Sequence, residues 1–177
     1  MRIDHIAYRV KNRKAASDFL INAFGYKIAD EFQIDFDDGS CAKCYALVPP
    51  EKIDNADDFK AWVHLATKSE YHVPPEIFVS EGTPGSIVDN WVNEKGGTAA
   101  IHHIAYQVDD VALIMKEWQE KGFAEFTTKE PIEANGLIQC FTKEHPLTGT
   151  VYEFISRTTK GFNIDNVRDL MESTNKK

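Results

Sequence analysis

Two histidines occupy equivalent positions in an internal repeat of this 177-residue sequence. The segment IDHIAYRV at residues 3–10 recurs as IHHIAYQV at residues 101–108, so that His5 corresponds to His103. A repeat with a period of about half the chain predicts two copies of one module. If the modules pair about a pseudo-two-fold axis, the two imidazoles converge. Imidazoles that converge in a cavity are most often metal ligands.

Two glutamates lie in apolar, strand-like runs and could complete such a site. Glu153 stands in the middle of VYEFI, and Glu76 precedes IFVS. An ionised carboxylate is rarely buried unless it is paired or binds a metal. The alternatives are an edge strand with Glu153 facing water and a strand that begins at Glu76 in solvent.

The number of carboxylates in the site decides the chemistry that the sequence predicts. His5, His103 and Glu153 would form the facial triad of non-haem Fe(II) oxygenases, with open positions left for other ligands. Glu76 as a fourth ligand would instead suit a divalent ion that acts as a Lewis acid in enolate or isomerisation chemistry.

A third histidine, His102, directly precedes the second repeated one. Successive side chains of a regular strand point to opposite faces. This alternation predicts that His102 faces away from His103. Replacing His103 by alanine should then abolish metal binding, whereas the same change at His102 should largely spare it.

The apolar periodicity predicts the same order of elements in each half of the chain. The first half is predicted to contain a strand over 2–10, a helix from Asn12 to Gly25 and strands over 26–34, 41–48 and 76–80. The second half is predicted to contain a strand over 101–108, a helix over 111–121 and strands over 123–128, 137–142 and 150–156. Further helices are predicted over 57–68, 86–94 and 163–174.

These elements predict an α+β fold of two βαβββ modules that form one structural domain. The first module covers residues 1–97 and includes a helical insertion at about 50–73. The second module covers residues 98–160, and a C-terminal helix occupies residues 161–177.

Composition excludes several classes of function. The net charge of -8 argues against nucleic acid or an anionic membrane as a partner. No apolar run approaches the roughly 20 residues of a membrane span, and the strand that follows Met1 leaves no room for a signal peptide, so a cytoplasmic protein is expected. Three cysteines, with one CxxC pair (Cys41 and Cys44) in a predicted strand, favour structural thiols over a disulfide, redox or zinc role.

At the level of whole motifs, the chain resembles the vicinal oxygen chelate, or glyoxalase-like, superfamily. The segments DHIA at 4–7, HHIA at 102–105 and VYEFI at 151–155, together with Glu76, carry the resemblance. It implies paired βαβββ modules that form half-barrels around a metal. It also implies that His5, His103 and Glu153 bind this metal.

Within that superfamily, the C-terminal part is similar to the catalytic domain of 4-hydroxyphenylpyruvate dioxygenase. The segments LIQCFTK at 137–143 and EFISR at 153–157, with the residues that follow, carry this similarity. It implies Fe(II), a small 2-oxo acid that chelates the metal, and a substrate contact by Gln139. The chain departs from that family in length, which is about half, and in having Ser80 where the family has asparagine.

The segment from Glu76 to His103 is also similar to methylmalonyl-CoA epimerase. This similarity implies Glu76 as a fourth ligand and Co, Mn, Zn or Ni as the metal. The family's acid/base on the third strand falls near Ala42 or Lys43, and an epimerase needs two opposed acid/base groups, of which this chain offers one at most. The leading expectation is therefore an Fe(II) dioxygenase, with a lyase, isomerase or epimerase as the alternative enzyme. A non-catalytic ligand-binding protein is the third reading, and a homodimer is expected to be possible in each case.

Overall fold

The computed structural model describes residues 2–49, 75–134, 136–157 and 164–173. The first half contains β1 (Arg2–Val10), α1 (Arg13–Phe24), β2 (Lys27–Asp35), β3 (Cys41–Val48) and β4 (Glu76–Gly82), and helix α2 (Ile87–Glu94) follows. The second half contains β5 (Ala99–Gln107), α3 (Val111–Glu120), β6 (Ile132–Ala134), β7 (Leu137–Phe141) and β8 (Val151–Arg157), and α4 (Ile164–Ser173) comes last. The predicted order βαβββ is thus present in both halves, and the α+β fold is confirmed.

All eight strands form one mixed sheet in the order β2-β3-β4-β1-β5-β8-β7-β6. The repeated strands β1 and β5 lie at its centre and pair antiparallel. Each is flanked by the last strand of its own module, with β1 parallel to β4 and β5 parallel to β8. The order therefore reads the same from the centre outwards in each half, as a duplicated module requires.

Helices cover both faces of this sheet. On the inner face, defined by Ala7, Phe78, Phe141 and Val151, these side chains pack with residues of α2 and α4, among them Val88, Val167 and Met171. On the outer face, α1 packs against the first half and α3 against the second. Apolar burial on both faces is what holds the central strands rigid.

The ends of α1 agree with the sequence analysis. Asn12 is the N-cap, and its side chain accepts a hydrogen bond from the backbone N–H of Ala15 at 2.8 Å. Gly25 ends the helix in the left-handed conformation, with φ of 75°, which a side chain would oppose. Turning the chain here is what brings β2 back alongside the sheet.

One predicted strand is wrong. Residues 123–128 form no strand, and only Phe126 makes an isolated bridge, to Thr142. On the side away from β8, the strand that pairs with β7 is β6, which comes later in the chain than residues 123–128. The apolar residues that produced the prediction pack instead on aromatic rings, Phe123 on Trp118 at 5.7 Å and Phe126 on Phe154 at 6.4 Å between centroids.

Two other sequence-based predictions concern the insertion in the first module and the boundaries of the modules. The insertion at about 50–73 and its helix at 57–68 lie outside the described residues, and the exact module boundaries remain a prediction. Among the described helices, none is long and apolar enough to cross a membrane.

Candidate metal centre

Three side chains from three neighbouring strands converge on the inner face. The Nε2 atoms of His5 and His103 are 3.1 Å apart, and Oε2 of Glu153 is 3.3 Å from each of them. The three residues are only 3%, 4% and 1% exposed, in that order. Of the described histidines, cysteines and acidic residues, they alone form a group compact enough to hold a metal ion.

Cross-strand register explains the convergence. His103 on β5 pairs with Ala7 on β1, and Glu153 on β8 pairs with Ala105 on β5. Both alanines are buried, and each offers only a methyl group beside the larger side chain. Because both alanines belong to the repeated segment, the repeat supplies the small residues that leave room for the ligands as well as the histidines.

The triangle has the dimensions of one face of a metal coordination sphere. Metal–ligand bonds of about 2.1 Å place adjacent ligands about 3.0 Å apart at a right angle and about 3.4 Å apart at the tetrahedral angle. The three separations of 3.1, 3.3 and 3.3 Å fall in this interval. Oε2 of Glu153 also receives no hydrogen bond from any described residue. A buried, orphaned carboxylate oxygen fits a ligand atom, so the donor set present suits a divalent metal.

Without a metal, the site is held together by charge. Burial lowers the pKa of His5, but the Glu153 carboxylate and the hydrogen bond to Asp4 outweigh it and raise that pKa to about 9. Burial raises the pKa of Glu153, but the His5 charge and the close approach of the His103 and His5 rings bring it down to about 2. The pKa of His103 is lowered, mainly by burial. In neutral solution the metal-free site is therefore an ion pair of His5 and Glu153 beside a neutral His103.

The far side of the His5 ring is held by a carboxylate. Oδ1 of Asp4 lies 2.8 Å from Nδ1 of His5, and the Arg157 guanidinium donates a hydrogen bond to the same oxygen. A carboxylate on the outer nitrogen is the usual support of a metal-bound histidine, because it orients the ring and raises its basicity.

The prediction that His102 faces away from His103 is wrong. His102 is 3% exposed, and its Nδ1 lies 2.8 Å from Nδ1 of His103. The cause is an irregularity in the β1–β5 ladder: Ala7 pairs with His103, but the next residue, Tyr8, pairs with Ile101. His102 is therefore the extra residue of a β-bulge, and a bulge cancels the alternation on which the prediction depended. Burial, followed by the charge of Arg9, lowers the pKa of His102 well below its ordinary value.

Glu76 lies next to this group but outside it. It pairs with His5 across β1 and β4, and alternation along β4 places it on the face of Phe78. It is partly exposed, and the compact group of ligand atoms does not include it. Its role as a fourth ligand remains a prediction.

Gln139 is the other predicted site residue. It is buried on β7, two residues before Phe141, which pairs with Glu153. Its Nε2 has no hydrogen-bond partner among the described residues. A buried amide with an unused donor on the inner face is suited to binding an oxygen of a substrate.

Arg9 is a residue that the sequence analysis missed. It is buried on β1, four residues after His5 on the same face, with its guanidinium 5.5 Å from the centroid of Trp91. Burial lowers its pKa to about 9. The sequence did contain a signal for it, because alternation along the strand places Arg9 on the same face as His5 and Ala7. A basic residue in that series is unusual because charged side chains are seldom fully buried.

The cysteines have no part in this site. Cys44 and Cys140 are buried free thiols, and burial raises the pKa of each to about 12. A thiol that resists ionisation is a poor nucleophile and a poor metal ligand. This agrees with the structural role expected from the sequence.

Comparison with known proteins identifies the family. The sequence profile described as Glyoxalase/Bleomycin resistance protein/Dioxygenase superfamily matches residues 4–141. A search of curated protein sequences found no significant match.

Many solved structures resemble the fold, and three of them serve as examples. A variant of 4-hydroxymandelate synthase from Streptomyces coelicolor aligns with a TM-score of 0.73 at 17% identity, over 98% of this chain and 53% of that one. The chain thus spans about half the length of that protein. A methylmalonyl-CoA epimerase aligns with a TM-score of 0.62 at 20% identity, over 90% of this chain and 97% of that one.

The epimerase from Mycobacterium tuberculosis aligns with a TM-score of 0.60 at 12% identity, over 89% of each chain. At these identities the structural likeness shows the fold. The sequence profile covers well over half of the chain. This protein belongs to the glyoxalase/bleomycin resistance protein/dioxygenase superfamily.

Proposed function

We propose that the protein is a metal-dependent enzyme of this superfamily, with a divalent ion held by His5, His103 and Glu153. The observation that carries the proposal is the buried triangle of two imidazole nitrogens and one carboxylate oxygen with ligand-like spacing. A set of three protein ligands on one face leaves positions of the metal open to water or substrate. A purely structural site would close all of them.

The preferred reaction class is an Fe(II)-dependent dioxygenation of a small 2-oxo acid that chelates the metal. The two-histidine, one-carboxylate set is typical of Fe(II) oxygenases, in which the iron supplies the redox and oxygen chemistry. The donor count favours this class over a four-ligand site, because Glu76 is not part of the compact group.

The chain's own residues would bind and orient the substrate on the inner face. The Gln139 amide can donate a hydrogen bond to a substrate oxygen, since its Nε2 is unused by the described residues. The ring of Phe141 lies against that of His103, with centroids 5.6 Å apart. Such an apolar wall excludes water from the reacting groups and strengthens electrostatic contacts there.

Oxygen uptake is the test of this reaction class. Purified protein is loaded with Fe(II) without oxygen, and oxygen consumption is then followed with a panel of 2-oxo acids. We expect substrate-dependent uptake that is lost in His103→Ala and kept in His145→Ala, a control histidine outside the triangle. A flat trace across the whole panel with iron-loaded protein would refute the dioxygenase proposal.

A lyase, isomerase or epimerase is the second candidate, and the position of Glu76 favours it. Glu76 lies beside His5 in the β1–β4 ladder, so a change of its rotamer could bring a fourth ligand to Co, Mn, Zn or Ni. We expect Glu76→Ala to weaken binding of these metals if this reading is right. Full affinity in the variant would count against it.

A binding protein without catalysis is the third candidate. It would take up metal and a chelating small molecule, and neither oxygen consumption nor exchange of substrate protons with solvent would follow. Metal analysis separates all three proposals from a metal-free role: protein that holds no divalent ion and takes up none on addition would contradict each of them.

A further inference from the structure

The residue that precedes each histidine of the triangle contacts that histidine's outer nitrogen. Oδ1 of Asp4 is 2.8 Å from Nδ1 of His5, and Nδ1 of His102 is 2.8 Å from Nδ1 of His103. Asp4 and His102 are equivalent positions of the internal repeat. The two halves therefore support their histidines from the same place with different chemistry, a carboxylate in the first and an imidazole in the second.

Two irregularities of the β1–β5 ladder make these contacts possible. Ile3 pairs with Tyr106 and Ile6 with Ile104, so β1 has one more residue than β5 in the stretch that holds Asp4 and His5. In the other stretch β5 has one more residue, at His102. Neighbouring side chains of a regular strand point apart, and only a bulge brings them to one side.

The close approach of the two histidines determines where their protons lie. Two N–H groups cannot face each other at 2.8 Å, so one Nδ1 donates and the other accepts. His103 needs a lone pair on Nε2 to bind a metal, and its proton must then be on Nδ1. Nδ1 of His102 is left as the acceptor, with its own proton on Nε2.

We propose that His102 is a positioning residue that fixes the ring and the tautomer of His103, as Asp4 does for His5. The inference rests on the proposed metal centre, because the tautomer of His103 matters only if Nε2 binds a metal. A group that hydrogen-bonds to the ring nitrogen that does not bind the metal typically contributes about 10–100-fold to metal affinity. His102 lies outside the compact group of ligand atoms. It would therefore change metal affinity only through its effect on His103.

The surroundings of His102 keep it in this orientation. Its ring is buried and lies edge-on to Trp91 of α2, with centroids 5.1 Å apart. Trp91 in turn carries the Arg9 guanidinium over its ring. A ring wedged in this way is already oriented before a metal binds, which is what a support for His103 requires.

Two variants separate the hydrogen bond from the space that the ring fills. His102→Phe keeps an aromatic ring against Trp91 and removes the acceptor. His102→Asn is smaller but can place an amide oxygen near the former Nδ1. With Zn(II) as the probe, measured by competition with a chromophoric chelator, we expect His102→Phe to bind about 10–100-fold more weakly than wild type. His102→Asn should recover most of that loss, although it fills less space.

A spectroscopic readout tests the hydrogen bond itself. Long-range ¹H–¹⁵N spectra of the wild-type imidazoles, with and without Zn(II), should show the proton of His103 on Nδ1 and that of His102 on Nε2. A proton on Nε2 of His103 in the Zn(II) form, or equal Zn(II) affinity in wild type and a folded His102→Phe, would overturn the inference. Wild type that binds no Zn(II) would overturn the proposed metal centre instead. The spectrum of the metal-free protein would still decide whether His103 donates to His102.

Discussion

Replacing Glu153 by glutamine removes the charge that keeps His5 protonated in the metal-free protein. Burial lowers the pKa of His5, and the Glu153 carboxylate is the largest influence that opposes burial, giving a pKa of about 9. With a neutral amide in its place, burial should dominate. We therefore expect the pKa of His5 to fall far below its wild-type value, and the stability of the variant to depend on pH differently from that of wild type.

The size and sign of the stability change follow from the two pKa values. A rise from 6.5 to about 9 for His5 corresponds to at most about 3 kcal/mol of folding free energy. This contribution is fully present below pH 6.5 and is lost as the pH rises through about 9. Glu153, lowered from 4.5 to about 2, contributes above pH 4.5 and loses its contribution as the pH falls towards 2. Glu153→Gln should thus lower the free energy of unfolding by up to about 3 kcal/mol near pH 6, where both groups contribute.

Urea unfolding of metal-free protein across about pH 5 to pH 10, in the presence of a chelator, measures this difference. The stability gap between wild type and Glu153→Gln should shrink as the pH approaches 9. Glu125→Gln is a matched control, because Glu125 is exposed and pairs with Lys143 at the surface, and it should show no such trend. A gap for Glu153→Gln that is the same at every pH would refute the assigned ion pair.

Metal binding provides a second test of whether His5 is protonated in the metal-free protein. At pH 7 the His5 proton must leave before Nε2 can bind a metal, since its pKa is about 9. Calorimetric titration in buffers of different ionisation enthalpy should therefore show release of about one proton per metal at pH 7. The affinity should rise with pH up to about 9. Binding without proton release would contradict the raised pKa.

Three further predictions concern the surroundings of the site. Gly82→Ala should lower the free energy of unfolding by about 1–3 kcal/mol, because its Cβ would lie 2.7 Å from N of Asp89 and 2.9 Å from Cβ of Val88; an unchanged Tm would contradict this packing. Ser86→Ala should cost about 1 kcal/mol in urea unfolding, because Ser86 Oγ caps α2 by accepting from N of Asp89 at 3.2 Å; no loss would mean that the cap is replaced. Gln139→Leu should keep Tm and metal affinity but raise KM for a chelating substrate, since its buried Nε2 has no partner among the described residues; an unchanged KM would exclude the proposed substrate contact.

Local patterns of the sequence predicted the elements well where one strand or helix decides its own structure. Strand β3 and the Asn12 cap of α1 are as predicted. The failed strand at 123–128 shows the limit of such patterns. Phe123 and Phe126 contact the rings of Trp118 and Phe154 instead, and apolar spacing alone does not distinguish such contacts from pairing in a sheet.

The ligand residues of the site could also be predicted from local patterns of the sequence. The repeat singled out His5 and His103, and an acidic residue in an apolar strand singled out Glu153. Arg9 was missed because its alternation with His5 and Ala7 predicts burial only if that face is covered, and the covering helices α2 and α4 come from distant parts of the chain. Burial by distant segments is not encoded in any short stretch of the chain.

The sequence by itself determined which groups are available for chemistry, because duplication and alternation are properties of the chain order. Only the tertiary structure decided how the neighbours of those groups are aimed. The bulges at Asp4–His5 and at His102 arise from pairing between β1 and β5, and register across strands depends on both partners at once. Because of these bulges, Asp4 points towards His5 and His102 towards His103. In a regular strand, the members of each pair would point to opposite faces of the sheet.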